Sequence, residues 1–319
     1  MITMKDYEKF VWAEKYRPKT LSDVVLPNRI KDSLSQSVEA GEVQDSIFYG
    51  PPGIGKTTAA RALVNDLGAE YLFIEASMRG NIDTLRNDIT EFASTSSLVD
   101  GRKYVILDEA DFLNPQSTQP ALRNFIDKYS ATCGFILTAN YPNRILDAVK
   151  SRCISVDFSI RKDEKKDMGI GFLRSLESIL ENEDIEYDRK VLGKLILKNF
   201  PDWRQTLNQL QKYSSDYGRI DVGILSASSG PVFDALFEYL KDKKFTDMRK
   251  WVSENMDIPT TEFYTTLYRN LEKRTQSPVS YADAVVILAE YQYQESMVAN
   301  AEINRVAALA VLMADVEWC

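Results

Sequence analysis

Eight consecutive residues constrain this chain more than any others: Gly50-Pro51-Pro52-Gly53-Ile54-Gly55-Lys56-Thr57, followed by Thr58. They fit the pattern G-x-x-x-x-G-K-[ST], with a short apolar run at 46–49 before them and a helix-like stretch at 57–67 after them. The glycines let backbone N–H groups of Gly53, Ile54 and Gly55 turn inward onto phosphate oxygens, and the helix N-terminus adds a favourable dipole. The pattern predicts a bound nucleoside triphosphate, taken to be ATP. Lys56 is expected on the β- and γ-phosphates, the Thr57 hydroxyl on Mg²⁺, and Thr58 beside them.

The surroundings of this loop set the fold class. Further short apolar runs at 71–75, 104–107, 135–139 and 154–158 alternate with stretches of helical spacing such as 82–92. That alternation predicts a parallel α/β sheet covered on both faces. Past 158 the strand signals stop. Met168, Phe172, Leu176 and Ile179 recur at three- and four-residue spacing within 162–181, and 191–200 and 203–213 read as two more helices. A small-residue break at 226–231, punctuated by Gly230-Pro231, precedes about five further helices. The expected plan is a P-loop α/β domain over 1–158, a small helical domain over 159–229 and a helical C-terminal domain over 230–319. Val306, Leu309, Leu312, Met313 and Val316 offer one apolar face for an oligomerising collar, or equally for a private core.

Composition narrows the chemistry. The chain of 319 residues contains no histidine, which removes the commonest general base and most zinc enzymes. Its three cysteines, Cys133, Cys153 and Cys319, are scattered and suggest neither a disulfide framework nor a metal site. A formal charge of −8 means that any contact with nucleic acid relies on a local basic stripe. With no apolar run near the length of a membrane span and no signal-like N-terminus, the simple expectation is a cytoplasmic protein without membrane partners.

A second chemical signal follows the run at 104–107, which leads straight into Asp108-Glu109-Ala110-Asp111. A buried strand ending in an acidic pair puts one carboxylate near Mg²⁺ and the next beside the γ-phosphate. Asp108 is assigned to the metal and Glu109 to activating the attacking water. The same four letters spell the box of an RNA helicase family, but such helicases need a second α/β motor domain, for which the helical remainder leaves no room. A third signal is Asn140, at the end of Ile136-Leu137-Thr138-Ala139. It is placed to hold the lytic water or to sense the γ-phosphate.

The order of phosphate loop, Asp108-Glu109, Asn140, Ser151-Arg152-Cys153 and Asp202-Trp203-Arg204 resembles an AAA+ ATPase. Ser-Arg-Cys, the acidic box and Trp12-Ala13-Glu14-Lys15-Tyr16-Arg17-Pro18 resemble, more narrowly, the sliding-clamp loaders of the replication factor C group. Asn199 to Arg204, Tyr213-Ser214-Ser215 and Asp221 to Leu225 make the chain similar to the large-subunit family of T-even-type phage clamp loaders. The likeness is dense over residues 12 to about 215; the C-terminal third supports it by length and helicity only.

The resemblance assigns roles that spacing does not. It implies that Ala13, Glu14, Lys15, Tyr16 and Val25 line the adenine pocket, and that Arg204 reaches the γ-phosphate from a helical lid. In the family a glycine stands where this chain has Pro201. Arg152 is implied to enter the neighbouring subunit's ATP site as an arginine finger. Arg79, Asn81 and Arg86, around the start of the helix predicted at 82–92, are implied to follow a DNA backbone, and Gln119 and Arg123 to couple DNA sensing to the acidic box. The implied partners are a sliding clamp, a smaller clamp-loader subunit, primer–template DNA and further copies of the chain, four by family analogy. Cytoplasmic then means that of a bacterial host if the chain is phage-encoded. The expected function is the ATPase motor of a clamp loader, the C-terminal helices forming its collar. The alternatives are another AAA+ motor, such as a helicase loader or junction-migration ATPase, and a non-hydrolysing scaffold. Glu109, Asn140 and Arg152 speak against the scaffold, since each serves hydrolysis.

Overall fold

In a computed structural model that describes residues 10–77, 82–95, 101–227, 230–256, 258–295 and 297–319, five strands form one parallel sheet. These are β1 (Ser46–Tyr49), β2 (Tyr71–Glu75), β3 (Lys103–Asp108), β4 (Cys133–Ala139) and β5 (Ile154–Asp157), hydrogen-bonded in the order β2-β3-β4-β1-β5. The expected runs are the observed strands, extended by two residues in each of β3 and β4 and one residue shorter in β5. Side chains alternate between the two faces with the period of two that a strand imposes. Tyr104 and Ile106 join Phe48, Ile136 and Phe158 on one face, while Val105 and Leu107 join Ile47, Phe135 and Leu137 on the other. Helices Asn28–Glu39 and Lys56–Asp66 cover the first face; Ile82–Ser94 and Thr118–Tyr129 cover the second. Both faces are therefore dry, which is why β3 and β4 read as unbroken apolar runs.

Register decides which residues meet. Tyr49 pairs with Ala139, and Leu107 with Leu137, so the C-terminal ends of β1, β3 and β4 finish side by side. Each strand then ends in a chemically distinct residue: the phosphate loop after β1, Asp108-Glu109 after β3 and Asn140 after β4. A crevice at strand C-termini is where ligands bind in sheets of this kind.

The helices Lys165–Asn182, Arg189–Asn199 and Trp203–Tyr217 enclose a separate core. Met168, Phe172, Leu176 and Ile179 are all buried in it, as their spacing predicts. Trp12, from the N-terminal segment, is buried in the same core, and its backbone N–H donates to Gln211 Oε1 at 3.0 Å. One feature departs from expectation. Glu186–Tyr187 and Arg219–Ile220 form a two-stranded parallel pair where no strand signal exists, because two residues are too few to show alternation.

The chain divides into Met1–Leu225 and Ser226–Cys319, a boundary slightly before the one expected after 229, and the α/β and first helical parts form one unit. The second unit consists, among the described residues, of five helices: Gly230–Lys241, Phe245–Glu254, Thr260–Leu271, Pro278–Glu295 and Ala301–Asp315. Leu309, Leu312, Met313 and Val316 are buried in this unit's own core, with Val306 partly buried against it. That face is private core, the second of the two readings its spacing allowed. No helix among the described residues is long and apolar enough to cross a membrane.

Candidate nucleotide-binding site

The loop after β1 holds its shape through glycine. Gly53 and Gly55 have φ of +72° and +99°, a left-handed conformation that side chains resist. Gly53 also has no room for one: a Cβ there would lie 2.0 Å from Asp202 Oδ1. Asp202 caps the helix Trp203–Tyr217, accepting from the N–H of Gln205, and the N–H of Trp203 donates to the Gly53 carbonyl at 3.1 Å. The helical lid therefore rests directly on the phosphate loop.

Lys56 opens the helix Lys56–Asp66 and is 7% exposed. Its ammonium donates to the carbonyls of Gly50 and Pro51 and to Asn140 Oδ1, each at 2.8 Å. Burial pushes its pKa down to about 8, against the pull of Asp108 and Asp111. Next in the chain, Thr57 Oγ1 donates to Asp108 Oδ1 at 2.5 Å, and Thr138 Oγ1 donates to the same oxygen at 2.6 Å. A threonine hydroxyl in contact with a carboxylate is a pair of hard oxygen donors. It fits Mg²⁺, whose other positions go to substrate phosphates and water. Among the described residues no group of three or more His, Cys, Asp or Glu side chains is placed to hold a metal ion.

Glu109 stands at φ +56°, a strained conformation for a glutamate, and its N–H donates to Thr138 Oγ1 at 3.0 Å. Thr138 thus orients both acidic residues from the neighbouring strand. Among the described residues the Glu109 carboxylate has no hydrogen-bond partner, and it faces the same cavity as Lys56, Thr57 and Asp108. Asp111, 5% exposed, accepts the N–H groups of Asn140 at 3.2 Å and Tyr141 at 3.0 Å and so fixes the turn that aims Asn140.

The cavity continues toward the lid. Ala13, Tyr16 and Val25 line it together with Thr58, Phe172, Ile179, Arg204 and Leu207. Glu14 and Lys15 do not line it, a correction to the expected pocket. The Glu14 carboxylate binds Arg17, and Lys15 Nζ donates to Glu183 at 2.6 Å. Ile54 also turns away, its side chain 1% exposed in the core, leaving only its main chain to the loop. Glu183 also accepts from the Tyr16 hydroxyl at 2.6 Å, so the tyrosine wall of the pocket is tied to the lid.

The structure does not bring Arg152 into this cavity. It lies after the short helix Asp147–Lys150, with its guanidinium on Asp127. Gln119 is buried and bridges Leu113, next to the acidic box, to Arg144 and Leu146 before that short helix. Arg86 is exposed on Ile82–Ser94; Arg79 and Asn81 lie outside the described residues.

Sequence reasoning missed Thr138 and Asp111 as supports of the site. Thr138 carries a signal only in hindsight of register, as a hydroxyl within an otherwise apolar strand. Asp111 was readable as the fourth letter of the acidic box.

Comparison with known proteins bears on the family and the fold. Residues 46–160 match the family model of the ATPase family associated with various cellular activities (AAA). Residues 163–226 match the sliding-clamp-loader large subunit, AAA+ ATPase lid domain. The chain is 32% identical to the sliding-clamp-loader large subunit of Enterobacteria phage T4 over the whole of both chains. It is 40% identical to the replication factor C small subunit of Saccharolobus solfataricus, over 67% of this chain and 64% of that one. Its fold is like that of the Thermotoga maritima RuvB Holliday junction branch migration motor, with a TM-score of 0.52 at 19% identity, covering 70% of this chain and 79% of that one.

Proposed function

We propose, from the premise that this chain belongs to the sliding-clamp-loader large-subunit family of AAA+ ATPases, that its ATP site is completed by a neighbouring subunit and fires on primed DNA. One observation carries the reading. The residues for binding and for hydrolysis share one cavity, while Arg152, the remaining cation of the family pattern, points elsewhere in its own subunit.

In this reading Tyr16, Ala13 and Val25 hold the adenine and the phosphate loop holds the triphosphate. Lys56 exchanges its carbonyl and Asn140 contacts for β- and γ-phosphate oxygens. Thr57 and Asp108 would hold Mg²⁺, which would neutralise charge on the β- and γ-phosphates. Glu109 accepts a proton from a water whose oxygen bonds to the γ-phosphorus as the bond to the β-bridging oxygen breaks, giving ADP and phosphate. Asn140, released from Lys56, orients that water, and Arg204 contacts the γ-phosphate from the lid. Arg152 stabilises the charge developing in the next subunit's site, an effect worth roughly 10³–10⁵ in rate.

The partners follow from the family: a sliding clamp, a smaller clamp-loader subunit, further copies of this chain and primer–template DNA. Arg86, with Arg79 and Asn81, is assigned to the DNA backbone, contacts that position without reading sequence. The C-terminal unit is assigned to assembly, through surfaces other than its buried Leu309–Leu312 face.

The test is an ATPase assay of the assembled chain with clamp alone, primed DNA alone and both. The reading requires turnover to rise most with both present; equal turnover in all arms sinks it. Arg152→Ala within a mixed assembly separates the finger from the rest: loss of turnover at sites on the neighbouring subunit supports donation in trans.

A further inference from the structure

The Arg152 guanidinium is held by a second residue of its own subunit in a way that leaves its working end open. Nε donates to Asp127 Oδ1 at 2.6 Å and Nη2 donates to Asp127 Oδ2 at 2.9 Å, a side-on bidentate pair. Nη1 donates to the Ala148 carbonyl at 2.7 Å and approaches Ser151 Oγ at a long 3.4 Å. A guanidinium has five N–H groups, one on Nε and two on each terminal nitrogen. The three short contacts leave one on Nη2 and one, loosely shared, on Nη1. Two N–H groups on the two terminal nitrogens are the fork with which arginine grips a phosphate end-on.

Asp127 does little else. It sits near the end of Thr118–Tyr129, about half exposed, and among the described residues its one other cationic neighbour, Arg123, stands 4.0 Å away, beyond hydrogen-bond reach. Exposed ion pairs contribute little to folding. What this pair does is fix the direction of a long side chain that otherwise samples many rotamers. We infer that Asp127 is a positioning residue for Arg152: it holds the finger's inner edge so that the outer fork faces the triphosphate of the neighbouring subunit. The inference rests on Arg152 being donated in trans, as proposed above.

Losing that hold returns to Arg152 the rotamer freedom that side chains of its length carry, which translates into about a tenfold loss of turnover and at most about thirtyfold. The test is steady-state ATP hydrolysis by the full assembly with clamp and primed DNA, for Asp127→Ala, Asp127→Asn, Asp127→Glu, Arg152→Ala and Asp127→Ala/Arg152→Ala. Asp127→Ala and Asp127→Asn should lower kcat about tenfold with KM for ATP within twofold, and Asp127→Glu should restore part of it. The double variant should be no slower than Arg152→Ala alone, since the two residues act as a unit. Thermal unfolding of each isolated variant guards against misfolding, with Asp127→Asn as the isosteric check. Unchanged or raised kcat on removing Asp127 overturns the inference, the second outcome marking a latch that restrains the finger. An equal further loss in the Arg152→Ala background overturns it as well, by showing that Asp127 acts through something else. Full turnover in Arg152→Ala itself removes the trans reading and the inference with it, a result distinguishable from failure at Asp127 alone.

Discussion

Lys56 Nζ lies 2.8 Å from Oδ1 of Asn140, and its other two donors meet the carbonyls of Gly50 and Pro51. The lysine after the glycine-rich loop is thus bound to the residue at the end of the neighbouring strand. In the proposed reading, a substrate phosphate that takes over Lys56 frees Asn140 at the same time.

This burial gives ATP binding a pH dependence. The Lys56 pKa is pushed down to about 8, while a polyphosphate beside the amine favours its charged form. Binding should therefore take up a proton above pH 8, and affinity should fall as pH rises through that value, by at most about tenfold per unit. The sign for stability is the reverse: the free chain gains stability from about pH 8 upward, where only the unfolded lysine stays protonated. Calorimetric titration of ATP in two buffers of different ionisation enthalpy measures the proton uptake; none at pH 8.5 would refute a depressed lysine.

Glu109→Gln should keep nucleotide affinity within severalfold and reduce turnover about 10²–10⁴-fold. The amide keeps the size of the side chain but cannot accept the proton, and no histidine stands in for it. Equilibrium binding and single-turnover hydrolysis on the same preparation check both halves. Turnover near wild type would remove Glu109 as the activating group.

Much of the site was legible because its chemistry is local in sequence. Gly50 to Thr57 and Asp108-Glu109 are runs whose geometry follows from a strand end and a helix start. The rest depends on register or on folding across distance. Thr138 matters because β4 lies beside β3 and brings its hydroxyl onto Asp108, 30 residues away in the chain. Asp127 meets Arg152 across 25 residues, from a different element. Glu14 and Lys15 stay out of the cavity for a simpler reason: a motif names neighbours in sequence, whereas Trp12–Lys15 is a helical turn from which Ala13, Tyr16 and Arg17, three and four residues apart, face the cavity.

Gly53→Ala should weaken ATP binding and destabilise the first unit by about 1–3 kcal/mol, with two separable causes. A Cβ meets Asp202 Oδ1 at 2.0 Å, and alanine resists φ +72°. Asp202→Ala in the same chain should recover the steric part and leave the backbone part, at the cost of the helix cap that Asp202 supplies to Gln205. Thermal unfolding of the four members of this cycle reads the coupling. Strict additivity would mean that the lid does not press on the loop at Gly53.

Leu312→Ala distinguishes a core from a subunit contact in the C-terminal unit. Leu312 is 0% exposed and packs among Leu309, Met313 and their neighbours within one chain. Removing a buried leucine side chain costs about 2–5 kcal/mol, spread by how well the cavity collapses. If the residue is private core, the loss appears in the unfolding of the isolated chain and does not vary with protein concentration. If it were part of an interface, dilution of the wild type would already reproduce the loss, because association contributes stability only in proportion to partner concentration. Unfolding at two concentrations a hundredfold apart, for wild type and Leu312→Ala, should give parallel shifts. The exposed pair Val279 and Val286 on Pro278–Glu295 supplies the contrast. Polar substitutions there leave the isolated chain's stability within about 0.5 kcal/mol, as surface changes do, so any effect they have on assembly is read without a folding defect beneath it.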